Sequence, residues 1–364
     1  MKIALFLGAG ASVPFGIPTT EELKRRLIDV STDITQEILQ SFLSNPEYPD
    51  IEYVLHAVRD IKKFGDSKGG KYFFTQGKNG IFQYVRGEIP FDTFVKEISQ
   101  IESILENAIY QHYRWKTDYN KKLLTIYDPI INFLKGKGEI KIFTTNYDKA
   151  IEQYCNLRKD KFKCSDGFTR ATLDNDFATW KRDYAALQKI DDRTNVILLK
   201  LHGSLTWKKH VEEGIVKTTE ESKPDDTNFS GNVIIYPTIS PKDEEETEPF
   251  NTLLNDFDNF VQDLDGCIVL GFSFRDVGIN RTFKKFIENG KTLVVISPHS
   301  MKNICENFLG VDLPTNFNGD KSSSRAPSAG NIWCIPDGLT EENILQDLRL
   351  ALTHIENEFN KSKK

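Results

Sequence analysis

No C-x-x-C pair occurs among the five cysteines (Cys155, Cys164, Cys267, Cys305 and Cys334), which are odd in number and scattered. A disulfide framework and a zinc ribbon both lack their ligands, leaving free, buried thiols in a reducing compartment. Positive charge is not in excess either. The 47 Lys and Arg against 53 Asp and Glu give a net charge of −6, which argues against a protein built to grip nucleic acid through a basic face. No apolar run approaches the ~18–20 residues a membrane helix needs. The opening Met1–Gly8 has a single basic residue and an apolar stretch too short for the core of a signal peptide, so the cytoplasm is the expected compartment. Internal repeats are absent.

What remains is a balanced composition, 39% hydrophobic and 27% charged over 364 residues, that of a soluble globular chain. At about 150 residues per domain this length allows two domains, or one α/β domain with a large insertion. A chain this long buries a full core without disulfide or metal staples.

Lys2–Leu7 reads as a strand buried on both faces. Further strands are expected at Ile140–Thr144, Val196–Leu201, Val233–Tyr236, Cys267–Phe272 and Leu293–Ser297. Helices are expected at Tyr147–Cys155, Phe250–Leu264, Ile279–Glu288 and Met301–Phe308. Apolar strands alternating with helices predict an α/β fold, a doubly wound, Rossmann-like parallel sheet. Thr19-x-x-Glu22 reads as a capping box opening a helix near Glu21–Val30. From there the pattern stays helical, with Phe91–Trp115 and Lys121–Leu134 the longest runs and a glycine-rich loop at 65–80. The expected organisation is a core of residues 1–32 and 136–310, a large helical insertion at 33–135, and a segment 311–364. That last segment holds a mobile loop, a last strand and a helix at Thr340–Phe359. Glu244, Glu245 and Glu246 read as a solvated acidic loop.

Ligands of doubly wound sheets bind outside the carboxyl ends of the strands. The first such end carries Gly8-Ala9-Gly10-Ala11-Ser12, where glycines allow a tight turn and free amides can cradle phosphate. It is not a dinucleotide fingerprint, because Val13 stands where G-x-G-x-x-G needs its third glycine. An ordinary dehydrogenase is therefore not expected. The second end carries Thr144-Thr145-Asn146-Tyr147-Asp148, polar side chains for a crevice or an N-cap for the next helix. The third is His202-Gly203-Ser204, whose histidine suits general-base work near neutral pH. The fourth is Gly271-Phe272-Ser273-Phe274-Arg275-Asp276, where Ser273 fits a ribose or phosphate contact and Asp276 a contact or a helix cap.

In this order the segments resemble the sirtuin-like family, which pairs a G-A-G-x-S…G-I-P segment with a T-x-N-x-D segment, an H-G dipeptide and a later G-x-S. Here they read Gly8–Ser12 with Gly16-Ile17-Pro18, Thr144–Asp148, His202-Gly203, and Gly271-Phe272-Ser273. The two C-x-x-C pairs that hold zinc in the deacylase members are missing, so no metal is implied. The T-T-N-Y-D, L-H-G-S and G-F-S-x-x-D forms, with Asp50-Ile51-Glu52-Tyr53-Val54-Leu55 in the helical block, are similar to a bacterial antiviral-defence branch that cleaves NAD. Some members of that branch resemble this chain in length and partner a HerA-like ATPase.

The resemblance implies NAD as substrate, hydrolysed to nicotinamide and ADP-ribose, with Asn146 and His202 catalytic. Gly8, Ala9, Gly10, Ala11 and Ser12 would hold the pyrophosphate through amides and hydroxyl. Thr145, Gly271 and Asp276 would line the substrate site, Asp148 would take the carboxamide and Ser273 the adenosine ribose. An ungated NADase would deplete its own cell, so a homo-oligomer or a HerA-like ATPase is the expected gate. Neither a membrane nor direct nucleic-acid binding is expected. The competing readings are a non-catalytic NAD- or ADP-ribose-binding module and, further off, a protein deacylase.

Overall fold

The computed structural model describes residues 1–28, 34–48, 50–66, 91–135, 139–169, 177–184, 193–219, 228–235, 247–312, 324–326, 331–336 and 343–362. The expected acidic loop at 244–246 lies outside these residues, as do most of the loops expected at 65–80 and after 310. The chain divides into two compact units. One holds Met1–Ile17, Arg114–Ile235 and Ile239–Lys364; the other is built on Pro18–Tyr113.

Among the described residues the first unit carries thirteen strands: β1 (Ile3–Leu7), β2 (Ile140–Thr144), β3 (Phe162–Ser165), β4 (Gly167–Thr169), β5 (Phe177–Asp183), β6 (Thr194–Lys200), β7 (Gly203–His210), β8 (Gly214–Thr218), β9 (Phe229–Ile234), β10 (Gly266–Leu270), β11 (Thr292–Ile296), β12 (Ser324–Arg325) and β13 (Ile332–Ile335). Eight form one sheet in the order β12-β13-β11-β10-β1-β2-β6-β3. Every neighbouring pair in it is parallel except β12 and β13. β1, β10 and β11 are buried along their whole length, which is why they read as unbroken apolar runs.

The expected α/β, doubly wound, Rossmann-like sheet is thus present. Phe6 on one face meets Phe257, Phe272 and Phe283 at ring distances of 5.7, 4.9 and 5.1 Å, under the helices Phe250–Gln262 and Val277–Glu288. Elsewhere the helix Ile344–Ser362 lies so close that a Cβ on Gly266 would stand 2.5 Å from Ile355. The helix Asn120–Lys135, which the sequence pattern groups with the insertion, is part of this unit.

A second sheet, antiparallel and in the order β4-β5-β8-β7-β9, was not expected. The strand expected at Val233–Tyr236 is a correction. The observed β9 starts earlier, pairs antiparallel with β7 and belongs to this second sheet. β4, β5 and β8 mix buried with half-buried or exposed residues, β7 is mostly buried but carries Ser204, Thr206 and Lys208, and register shifts break two pairings, so no long apolar run announces the sheet. An aromatic cluster of Phe168, Trp180 and Trp207 fills its inner side. The helix expected at Met301–Phe308 is shorter, Ser300–Asn303, and continues as a wider π turn to Leu309.

In the helical unit, Thr19 accepts from the Glu22 amide at 3.1 Å and opens the helix Thr20–Ile28, as the capping box predicts. The helices Ile51–Asp66 and Phe91–Tyr113 bury Val54, Leu55, Val58, Ile98, Ile101 and Leu105. Arg59 bridges them to Glu102 and Glu106 at 3.0 and 2.8 Å. Among the described residues no helix is long and apolar enough to cross a membrane.

Candidate active site

β10, β1, β2 and β6 are consecutive in the sheet, and the chain leaves β1 for β2 on one side but returns to β10 on the other. That is a topological switch point, where loops diverge and leave a crevice. The four segments singled out in the sequence follow these four strands.

The loops after β1 and β10 pack backbone to backbone. Gly8 N–H donates to the Leu270 carbonyl and Gly10 N–H to the Gly271 carbonyl, each at 2.9 Å. Side chains are excluded there: a Cβ on Gly8 would lie 2.5 Å from Phe272 Cα, and one on Gly271, at φ +62°, 2.5 Å from the Ala11 nitrogen. Ala11 N–H then donates to Gly8 O and Ser12 N–H to Ala9 O, closing a short 3₁₀ turn. The Gly8, Gly10, Ala11 and Ser12 amides thus have partners within the protein, and the glycines let the two loops pack closely.

Ser12 is buried, and its hydroxyl donates to Asp148 Oδ2 at 2.7 Å while accepting from Asn146 Nδ2 at 3.0 Å. The other hydrogen of Asn146 Nδ2 goes to the Gly8 carbonyl at 2.9 Å. A carbonyl can only accept, so this contact fixes which way the amide faces. Both Nδ2 hydrogens are then engaged, and Asn146 Oδ1, on a half-buried residue, has no partner among the described residues. Thr145 is half-buried beside it and is held by its amide on the Leu7 carbonyl.

Asp148 is 5% exposed, and its second oxygen accepts from the Ala150 amide at 2.9 Å, starting the helix Ala150–Leu157. Burial pushes its carboxyl above the usual range, against the pull of Lys200, the Ser12 hydroxyl and the Ala150 amide. Lys200 itself, 1% exposed, donates to the Asp148 carbonyl and faces Glu152 at 3.4 Å. Each oxygen of Asp148 thus accepts one hydrogen bond from within the protein, and through Ser12 the carboxylate braces Asn146.

The loop after β6 turns sharply at Gly203, where φ is +83° and a Cβ would strike the Val233 carbonyl at 2.1 Å. Leu205 N–H and Ser204 Oγ both donate to the Tyr147 carbonyl, at 3.1 and 3.2 Å, tying this loop to the Asn146 loop. His202 Nε2 meets Asp276 Oδ2 at 2.8 Å, both side chains nearly buried. Asp276 Oδ1 accepts from the Ile279 amide at 2.8 Å and caps the helix Val277–Glu288. Burial alone would raise the Asp276 carboxyl, but the bond and charge of His202, with the Ile279 and Gly278 amides, hold it below its ordinary value. Both roles open to Asp276 in the sequence involve its carboxylate; the pairing with His202 does not show in the sequence, because the two lie on distant segments.

Between Gly271 and Asp276 the backbone is strained. Phe274 is fully buried in the left-handed region at φ 58°, and Asn280 Nδ2 holds its carbonyl at 2.7 Å. Ser273 Oγ accepts from Arg275 Nε at 3.3 Å, and Asn307 Nδ2 donates to the Ser273 carbonyl at 2.8 Å. All five cysteines are free, and none joins this site.

Residues 140–309 match the SIR2-like domain family, just under half of the chain. The matched stretch includes Thr145, Asn146, Asp148, His202, Gly271, Ser273 and Asp276, and begins after the Gly8–Ser12 loop. No curated protein matches the sequence. Among solved structures, a Sir2 homologue–NAD complex is 13% identical, covering 97% of this chain and 90% of that one with a TM-score of 0.44. A Sir2–p53 peptide–NAD+ complex is 13% identical, covering 96% and 94%, with a TM-score of 0.40. At these scores the likeness is loose, and the fold stands on the chain's own strand order.

Proposed function

We propose that the protein is an NAD hydrolase that splits NAD into nicotinamide and ADP-ribose. The observation that carries this reading is Asn146, whose amide nitrogen is held by Gly8 and Ser12 while its oxygen has no partner among the described residues, on the loop after β2, the strand that pairs with the β6 leading to His202. A site that only gripped a nucleotide would not need an acceptor held so firmly.

The chemistry asks little. The pyridinium of NAD leaves as neutral nicotinamide, taking the electron pair of the C1′–N bond, so no acid is needed. Water forms the new bond to C1′ and gives up a proton, for a balance of NAD+ and water to nicotinamide, ADP-ribose and H+. The enzyme must hold the ribose, tolerate the oxocarbenium-like transition state and aim the water. Asn146 Oδ1 accepts from that water or from a ribose hydroxyl. His202 is the general base, a role worth about 10²–10⁴-fold. Ser12 and Asp148 hold Asn146, while Ser273, Gly271 and Thr145 line the approach.

The reading extends to a cytoplasmic enzyme of bacterial antiphage defence, gated by self-assembly or by a HerA-like ATPase through the helical unit or the C-terminal helix. The SIR2-like match and the motif forms support it. The test is to incubate the full chain with NAD, alone and with any such ATPase encoded beside it, and follow both products by chromatography. Equal amounts of nicotinamide and ADP-ribose are expected. Intact NAD under every condition, with NAD bound, would leave a nucleotide-binding module; turnover only with an acylated peptide would make it a deacylase.

A further inference from the structure

The His202–Asp276 pair specifies more than proximity. A carboxylate has no hydrogen to give, and Asp276 Oδ1 is already taken by the Ile279 amide at 2.8 Å. The contact of 2.8 Å between His202 Nε2 and Asp276 Oδ2 therefore needs the hydrogen on the ring nitrogen. A neutral imidazole carrying its proton on Nε2 has its lone pair on Nδ1. Among the described residues His202 Nδ1 has no hydrogen-bonding partner.

We propose that Asp276 is the positioning residue of the site, fixing His202 as the Nε2–H tautomer so that Nδ1 is the nitrogen that takes the proton. The part about proton uptake rests on the NAD-hydrolase reading; the tautomer does not. The strained turn at Phe274 fits this role. It carries the chain from β10 to Asp276, and Asn280, one residue beyond Ile279, clamps its carbonyl. When water attacks, its proton moves to Nδ1, and the resulting imidazolium is stabilised by the buried carboxylate on the other nitrogen, the arrangement that makes an aspartate useful behind a catalytic histidine.

The test uses the full chain labelled with ¹⁵N at histidine, with His202 assigned by its loss in His202→Gln. Six histidines make this tractable. Above the titration of the ring, the wild type is expected to show a protonated, pyrrole-like Nε2 and an unprotonated, pyridine-like Nδ1. Asp276→Asn keeps the helix cap, since Asn caps as well as Asp. With its oxygen on the Ile279 amide, it turns an N–H toward His202 Nε2, which must then accept. The pattern is expected to reverse, and kcat for nicotinamide release to fall on the order of 10²–10⁴-fold with KM changed only a few-fold. Asp276→Ser, which caps but does not reach the ring, is expected to give a mixture of tautomers and an intermediate kcat.

A wild type protonated on Nδ1 overturns the proposal, as does an Asp276→Asn chain with an unchanged ring pattern or full kcat. A wild type with the expected tautomer that leaves NAD intact supports the positioning by Asp276 and overturns only the hydrolase reading.

Discussion

The Asn146–Ser12–Asp148 chain and the His202–Asp276 pair stand at the ends of neighbouring strands but use their hydrogen-bonding capacity differently. In the first, the Ser12 hydroxyl and the Asn146 amide nitrogen are engaged inside the protein, and the Asn146 oxygen has no partner among the described residues. In the second, one nitrogen is held and the other is left for chemistry. The carboxylates behind them are also driven in opposite directions, Asp148 up by burial and Asp276 down against burial by His202 and two helix amides. One aspartate braces an asparagine through Ser12, and the other holds one ring nitrogen of a histidine.

The largest expected effect removes the platform both clusters share. Gly271→Ala places a methyl 2.5 Å from the Ala11 nitrogen at a left-handed position, so the β1 and β10 loops must separate. A loss of about 3 kcal/mol or more is expected in urea unfolding, with activity abolished. Ser12→Ala acts on one cluster only. It leaves Asn146 Nδ2 held only by the Gly8 carbonyl and strips a donor from the buried Asp148, costing about 1–3 kcal/mol in stability. A fall in kcat of about tenfold or more is expected from the loosened geometry, with the His202 ring signals unchanged. If those signals move, the two clusters are one.

The smallest effects lie in pH dependence and have opposite signs. Asp276, held below its ordinary 3.8, contributes stability that is complete above that value and is lost as pH falls through its depressed one. Asp148, held above 3.8, favours the folded state most fully below that value and loses this contribution as pH rises through its raised one. Unfolding free energy followed against pH should therefore flatten below 3.8 in Asp276→Asn and above 3.8 in Asp148→Asn.

How much of this was legible follows the same physics. β1, β2, β10 and β11 are buried five-residue runs, and their apolar stretches mark them within a residue or two. The polar segments at their ends were legible for the same reason, because a buried strand must stop where polarity begins. The antiparallel sheet was not, because β4, β5 and β8 are half-exposed and carry polar residues, among them Lys217, which pairs with Asp166. The glycines of the Gly8–Ser12 loop are legible but the close packing of the β1 and β10 loops is not, since such packing and a phosphate cradle ask for the same residue. The His202–Asp276 pair joins positions 74 residues apart, a contact no local pattern encodes.

The most direct measurement of the central claim is nicotinamide release from NAD by the full chain beside Asn146→Ala and His202→Ala, with NAD binding followed in parallel by calorimetry. The wild type, with its gate engaged, is expected to release nicotinamide, and each variant to bind NAD while losing about 10²–10⁴-fold in rate. Binding of NAD by all three chains with no release by any, gate present or absent, would contradict it.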